Sequence, residues 1–173
     1  MWSIKVGINE WIVVNNHNAS SLWTDGLSGC VGVAIVVPGY AFLTHIDSHI
    51  SVQDWQQNVE AHFLAALTNL GHLAQADVCE VVIGDDAETP LADAVLRTLR
   101  TTWTTANNTM SDPEMTLKRT GVRLHCVTGG QFQLQSLARM GHQVAWGTHQ
   151  NSVLGAAHIA FQGFFPGGAT ADL

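Results

Sequence analysis

The seven residues Val31–Val37 (Val-Gly-Val-Ala-Ile-Val-Val) constrain this chain more than any other stretch. A run with no polar residue, rich in valine, reads as a strand buried on both faces. It is followed at once by Pro38-Gly39 and a second apolar run, Tyr40–Ile46. Two adjacent strands joined by that turn form an antiparallel pair. Material has to cover both sides of the pair, and the rest of the sequence supplies it. Val52, Trp55, Val59, Phe63, Leu67 and Leu70 recur at intervals of three and four, which predicts a long amphipathic helix from an N-cap at Ser51, with Asp54 three residues on, to about Gly71. Thr89-Pro90 opens a second helix whose inward stripe is Leu91, Val95, Leu99 and Trp103.

Further strands are expected at Ser3–Ile8 and Trp11–Asn15 around an Asn9-Glu10 turn, at Val78–Gly84, at Gly121–Thr128, at His142–Gly147 and at Val153–Gln162. Phe132–Met140 fits strand and helix equally, Asn107–Lys118 reads as an exposed loop, and Gly84-Asp85-Asp86 as a turn with solvated acids. No repeat, linker or composition shift divides the 173 residues, so residues 1–173 are read as one catalytic domain. The fold class is α+β, a β-sandwich core of mixed strands with flanking helices.

Composition narrows the function classes. Fourteen acids against seven bases leave a net charge of -7, with no Lys/Arg cluster to replace phosphate counterions, which argues against nucleic acid. No stretch approaches the roughly 20 apolar residues that span a bilayer. The N-terminus lacks the basic and apolar regions of a secretory signal, so the expected location is the cytoplasm of the producing cell or a target cell reached without a cleaved signal. Three cysteines make no complete disulfide set and lack zinc spacing.

Chemistry concentrates before and after the hairpin. The block Thr24-Asp25-Gly26-Leu27-Ser28-Gly29-Cys30 delivers a cysteine to the mouth of the first strand, and the second strand brings back His45, followed by Ile46 and Asp47. The antiparallel arrangement is expected to set Cys30 and His45 side by side. An imidazole within reach of a thiol is how proteins generate a thiolate nucleophile near neutral pH. Gly26, Ser28 and Gly29 keep bulk away from the sulfur, and glycines let backbone N–H groups converge on an oxyanion. Cys79 and Cys126 lie in apolar strands with no such turn before them and read as small buried hydrophobes. His45, Asp47 and His49 alternate along one strand face, which invites a metal; ligands on one extended strand splay rather than converge, so no metal is expected. The remaining histidines are too scattered to assign.

Leu27-Ser28-Gly29-Cys30 with downstream His45 resembles the signature of the glutamine-deamidating toxins, the cytotoxic necrotizing factor catalytic domain and Burkholderia lethal factor. His45-Ile46-Asp47 is close to the histidine segment of the latter. The bacterial chemoreceptor glutamine deamidase has a similar Gly-rich block ending in cysteine. Thr24, six residues before Cys30, stands where the lethal factor and the chemoreceptor enzyme carry a threonine that orients the histidine. The resemblance covers residues 24 to 47. It implies the layered fold of those deamidases and a cysteine-dependent protein glutamine deamidase of toxin or effector type, acting on a protein that bears a reactive glutamine. Cys30, His45 and Thr24 would be catalytic, Gly29, Ser28 and Leu27 would serve substrate and oxyanion, and no cofactor is implied. Transglutamination by the same acyl-enzyme is an alternative. So is a protein N-terminal asparagine amidohydrolase, which Leu43-Thr44-His45-Ile46-Asp47 resembles. A non-catalytic binding protein on the same fold is the alternative of another class.

Overall fold

Strand β4 (Val31–Val37) and strand β5 (Tyr40–Ile46) form the antiparallel hairpin at the centre of the molecule, with Val37 opposite Tyr40 and Gly39 at a φ of 83° in the turn. A computed structural model describes residues 2–17, 20–70, 76–84, 89–105, 114–116, 121–126, 130–136 and 159–166. Around the hairpin runs a six-stranded sheet in the order β10-β2-β5-β4-β6-β7, where β2 is Glu10–Asn15, β6 Val78–Ile83, β7 Glu114–Thr116 and β10 Ile159–Phe164. A second sheet of four strands has the order β1-β3-β8-β9, with β1 Trp2–Lys5, β3 Ser20–Asp25, β8 Gly121–Cys126 and β9 Gln133–Ser136. The protein is an α+β domain of mixed strands and helices.

Alternation along β4 explains the layering, because successive strand side chains point to opposite faces. Val31, Val33, Ile35 and Val37 join a core with Trp55, Val59, Phe63, Leu67, Leu91, Val95 and Leu99 of the helices. Ala34 and Val36 join a second core with Ile4, Leu22, Val122 and Leu124 of the four-stranded sheet. Helices therefore cover one face of the large sheet and the small sheet covers the other. Each face is dry, so every β4 residue is buried.

The first helical run begins as α1 (Val52–Asp54), passes through a π-helical turn (Trp55–Val59), continues as α2 (Glu60–Leu67) and closes in a 3-10 turn (Thr68–Leu70). Ser51 is its N-cap, with Oγ accepting the Asp54 N–H at 3.0 Å. Helix α3 spans Thr89–Thr105.

Four expectations change. Ser3–Ile8 and Trp11–Asn15 do not flank a hairpin: β1 pairs parallel with β3 in the small sheet, while β2 pairs antiparallel with β5 in the large one. The chain crosses between sheets at Asn9, which holds a φ of 60°. Thr24 and Asp25 belong to strand β3 and not to a turn, which starts only at Gly26. Glu114–Thr116, expected in an exposed loop, pairs parallel with β6. The ambiguous Phe132–Met140 contains strand β9. His142–Gly147, Asp85-Asp86 and Val153–His158 lie outside the described residues.

Candidate active site

Thr24 and His45 meet across the two sheets. Thr24 on β3 pairs with Val122 in the small sheet, whereas His45 on β5 pairs with Gly32 in the large one. Their side chains project into the space between, where Thr24 Oγ1 lies 2.8 Å from His45 Nδ1. The threonine hydroxyl also donates to the Val6 carbonyl at 2.9 Å. A hydroxyl has one proton, and Val6 takes it. Thr24 Oγ1 can therefore only accept from the ring, so Nδ1 carries the hydrogen and Nε2 of the neutral imidazole presents a lone pair.

That lone pair has no partner: Nε2 is buried and makes no hydrogen bond among the described residues. His45 is only 4% exposed. Burial pushes its pKa down to about 4, against the opposing pull of Asp25 and Asp47. The ring is accordingly uncharged at neutral pH and presents a free lone pair, while a pKa this low makes it a weak base in the resting protein.

The hairpin register places His45 opposite Gly32 and Ile46 opposite Val31. The ladder ends there: Cys30 is the residue before β4, and Asp47 the residue after β5. Cys30 packs against the sandwich core, the side of the hairpin on which His45 meets Thr24. Cys30 is partly exposed, Cys79 is also partly exposed and Cys126 is buried. Burial raises the Cys30 pKa; hydrogen bonds from the backbone and hydroxyl of Ser48 counter it, and nearby Asp47 adds to the rise. Burial also drives the Cys79 thiol upward, with Glu80 adding to it.

The block before Cys30 is a brace. Gly26, at a φ of 72°, turns the chain out of β3, and a Cβ placed on it would lie 4.0 Å from His45 Cε1. Leu27 is fully buried and fills the space over Gly32, where a Cβ would come within 3.0 Å of Leu27 Cδ1. Its carbonyl accepts the Gly84 N–H at 3.0 Å. Ser28 and Gly29 are exposed beside the sulfur. Of the expected residues, then, Thr24 and His45 are bonded to each other, Cys30 shares their face, and Leu27 is a packing residue beneath them.

Three contributors escaped the sequence. Asn9 is fully buried and clamps the histidine strand: its N–H donates to the His45 carbonyl at 2.6 Å, and its Oδ1 accepts the Asp47 N–H at 3.1 Å. Gly84 is required because a Cβ there would stand 2.5 Å from Ser28 Cα. Ser48 favours the Cys30 thiolate through its backbone and side chain. Only Asn9 left a sequence signal, as a turn-type residue tolerant of positive φ. Asp47 accepts both the backbone N–H of His49, at 3.0 Å, and its ring Nδ1, at 2.9 Å. Among the described residues, no group of three or more His, Cys, Asp or Glu is arranged to hold a metal, and no helix is long and apolar enough to cross a membrane.

Compared with known proteins, the chain matches no protein-family model and no curated sequence.

Proposed function

We propose that this protein is a cysteine-dependent protein glutamine deamidase of the layered toxin and chemoreceptor-deamidase type. The observation that carries the reading is the His45 ring: neutral, locked by Thr24 into the tautomer whose Nε2 lone pair is free, and set on the same sheet face as Cys30. A buried imidazole nitrogen without a partner is costly in a purely structural role, because an unmet polar group loses about 1–3 kcal/mol of solvation. A proton to be taken from a thiol gives it a purpose. The helix–sheet–sheet layering accords with the fold that the resemblance implies.

Cys30 Sγ–H gives its proton to His45 Nε2, and the sulfur attacks the side-chain carboxamide carbon of the target glutamine. The tetrahedral intermediate collapses as His45 returns the proton to the departing amine, so ammonia leaves and a thioester remains. Water then loses a proton to His45 and attacks the thioester carbon. The carbon–sulfur bond breaks, the sulfur recovers its proton, and glutamate is released. Thr24 keeps Nδ1 protonated throughout, so that Nε2 is always the atom that exchanges.

The test is mass spectrometry of a cell lysate treated with wild-type protein or with Cys30→Ala. Gln-to-Glu conversions that appear with wild type alone support the reading; identical peptide sets from the two proteins refute it. A primary amine added to the same lysate separates hydrolysis from transglutamination, since transfer would incorporate the amine in place of water.

A further inference from the structure

We propose that Asn9 is the positioning residue of this site: it fixes the end of strand β5, and with it the His45 ring, against the chain that crosses between the two sheets. The inference rests on the deamidase reading and extends it to a residue that touches no reacting atom. Residues 6–9 join β1 of the small sheet to β2 of the large one, and they hold His45 at both ends. The ring end is held through Thr24, whose hydroxyl donates to the Val6 carbonyl at 2.9 Å and lies 2.8 Å from Nδ1. At the main-chain end the Asn9 N–H donates to the His45 carbonyl at 2.6 Å, and Asn9 Oδ1 accepts the Asp47 N–H at 3.1 Å. Those two bonds bracket Ile46, the last residue of β5. The Asn9 carboxamide thus carries the pairing one residue past the point where the strand stops.

The crossing is itself stiff. The Glu10 N–H donates to the Gly7 carbonyl at 3.1 Å and closes a four-residue turn, which the Gly7 N–H braces by donating to Glu10 Oε1 at 3.0 Å. The Thr44 hydroxyl donates to the Glu10 carbonyl at 2.8 Å, and the Asn9 carbonyl accepts the Phe165 N–H at 2.7 Å. Phe165 is anchored in the helix-side core. Asn9 takes the third position of the turn at a φ of 60°, and among the described residues no other non-glycine has a positive φ. Glycine occupies such a position without strain, and asparagine is the alternative. Asparagine adds the one thing glycine lacks, an acceptor that reaches Asp47. The residue is fully buried, so the carboxamide is spent inside the protein. Its return is a base held still: misplacing a reacting group by about 1 Å can cost on the order of a hundredfold in rate.

Asn9→Gly separates the two roles, because it keeps the turn and removes the acceptor. Nitrogen-15 NMR of the imidazole reads the ring in wild type and variant. The charged groups that act on it, Asp25, Asp47 and Lys5, are all still present in the variant. A loosened strand end admits water to the ring, so its pKa rises from about 4 toward 6.5 by about one unit or more. In the lysate assay the Cys30-dependent Gln-to-Glu conversion slows about tenfold. A role in the turn alone predicts the opposite, since glycine there would leave both the titration and the rate as they were. A third measurement needs no variant: in wild type the Asp47 amide hydrogen exchanges about a hundredfold or more slowly than in an open chain. A His45 pKa in Asn9→Gly within about 0.3 unit of wild type, a conversion rate within twofold of wild type, or an Asp47 amide that exchanges at the open-chain rate overturns the assignment and leaves the deamidase reading standing. A wild type without any Cys30-dependent conversion removes that reading and the part of Asn9 in catalysis with it, and the NMR titration tells the two failures apart.

Discussion

The two faces of the central hairpin carry different work. On the helix side, β4 and β5 present Val31, Val33, Ile35, Val37, Phe42 and Ile46 to an apolar core that includes Trp55 and Phe63. On the sandwich side the same strands present Ala34, Val36, Ala41 and Leu43 to a second apolar core and, at the end near Cys30, Gly32 and one imidazole. The missing side chain at Gly32 leaves room that Leu27 fills, directly opposite the strand position of His45. Both faces are packed closed, but only the sandwich face also holds a polar ring between two sheets. The lesson is that a single pair of strands can separate stability from chemistry by the parity of its residues.

Substitutions on the two faces should therefore have distinct signatures. Phe63 is fully buried and packs on Phe42, Trp55 and Phe165. Phe63→Ala should cost about 3–5 kcal/mol in urea unfolding, and at concentrations where the protein stays folded it should leave the Cys30 alkylation rate unchanged. A change in that rate would mean the faces are coupled.

On the sandwich face, the effect should depend on pH. The folded pKa of His45 is about 4, below the ordinary 6.5, so the unfolded chain binds a proton that the folded protein refuses. Stability is then full above pH 6.5 and is lost as pH falls from 6.5 to 4, by about 3 kcal/mol in all. His45→Gln should abolish that part of the acid slope, measured by urea unfolding across the window. A parallel slope in wild type and variant would place the buried proton elsewhere.

Much of this was legible in advance, and the pattern of hits has a physical reason. The helix stripe Trp55, Val59, Phe63, Leu67 steps by four residues, which drifts about 40° per step on a regular helix of 3.6 residues per turn. The wider π-helical turn at Trp55–Val59 absorbs part of the drift, so all four are buried. The hairpin was equally plain, because its partners are sequence neighbours. Strand β3 was not: Ser20-Ser21 is polar, and its partners β1 and β8 lie far off along the chain. At the site, His45 was visible from the hairpin spacing and Thr24 only through the resemblance to the glutamine-deamidating toxins, but the clamp by Asn9 and the close approach at Gly84 depend on segments meeting in space. No local pattern records such contacts.

Smaller effects should sharpen the contrast. Thr24→Val removes the acceptor for Nδ1–H and leaves the Val6 carbonyl without its hydroxyl donor. It should cost about 1–3 kcal/mol of stability and lower the rate of Gln-to-Glu conversion more than the Michaelis constant changes. Thr24→Ser, which keeps the hydroxyl, should recover most of that rate. At the far end of the hairpin, Gly39 sits at a φ of 83° with open space around it. Gly39→Ala should cost only about 1 kcal/mol, from backbone strain alone, and should not alter the site.

The protonation state of His45 is the most direct probe of the whole proposal, read by nitrogen-15 NMR of the imidazole. A neutral ring at pH 7 with its hydrogen on Nδ1, a pKa near 4 and loss of the tautomer preference in Thr24→Val is the predicted result. Hydrogen on Nε2, or a ring that titrates near 6.5 like a solvated histidine, would contradict it.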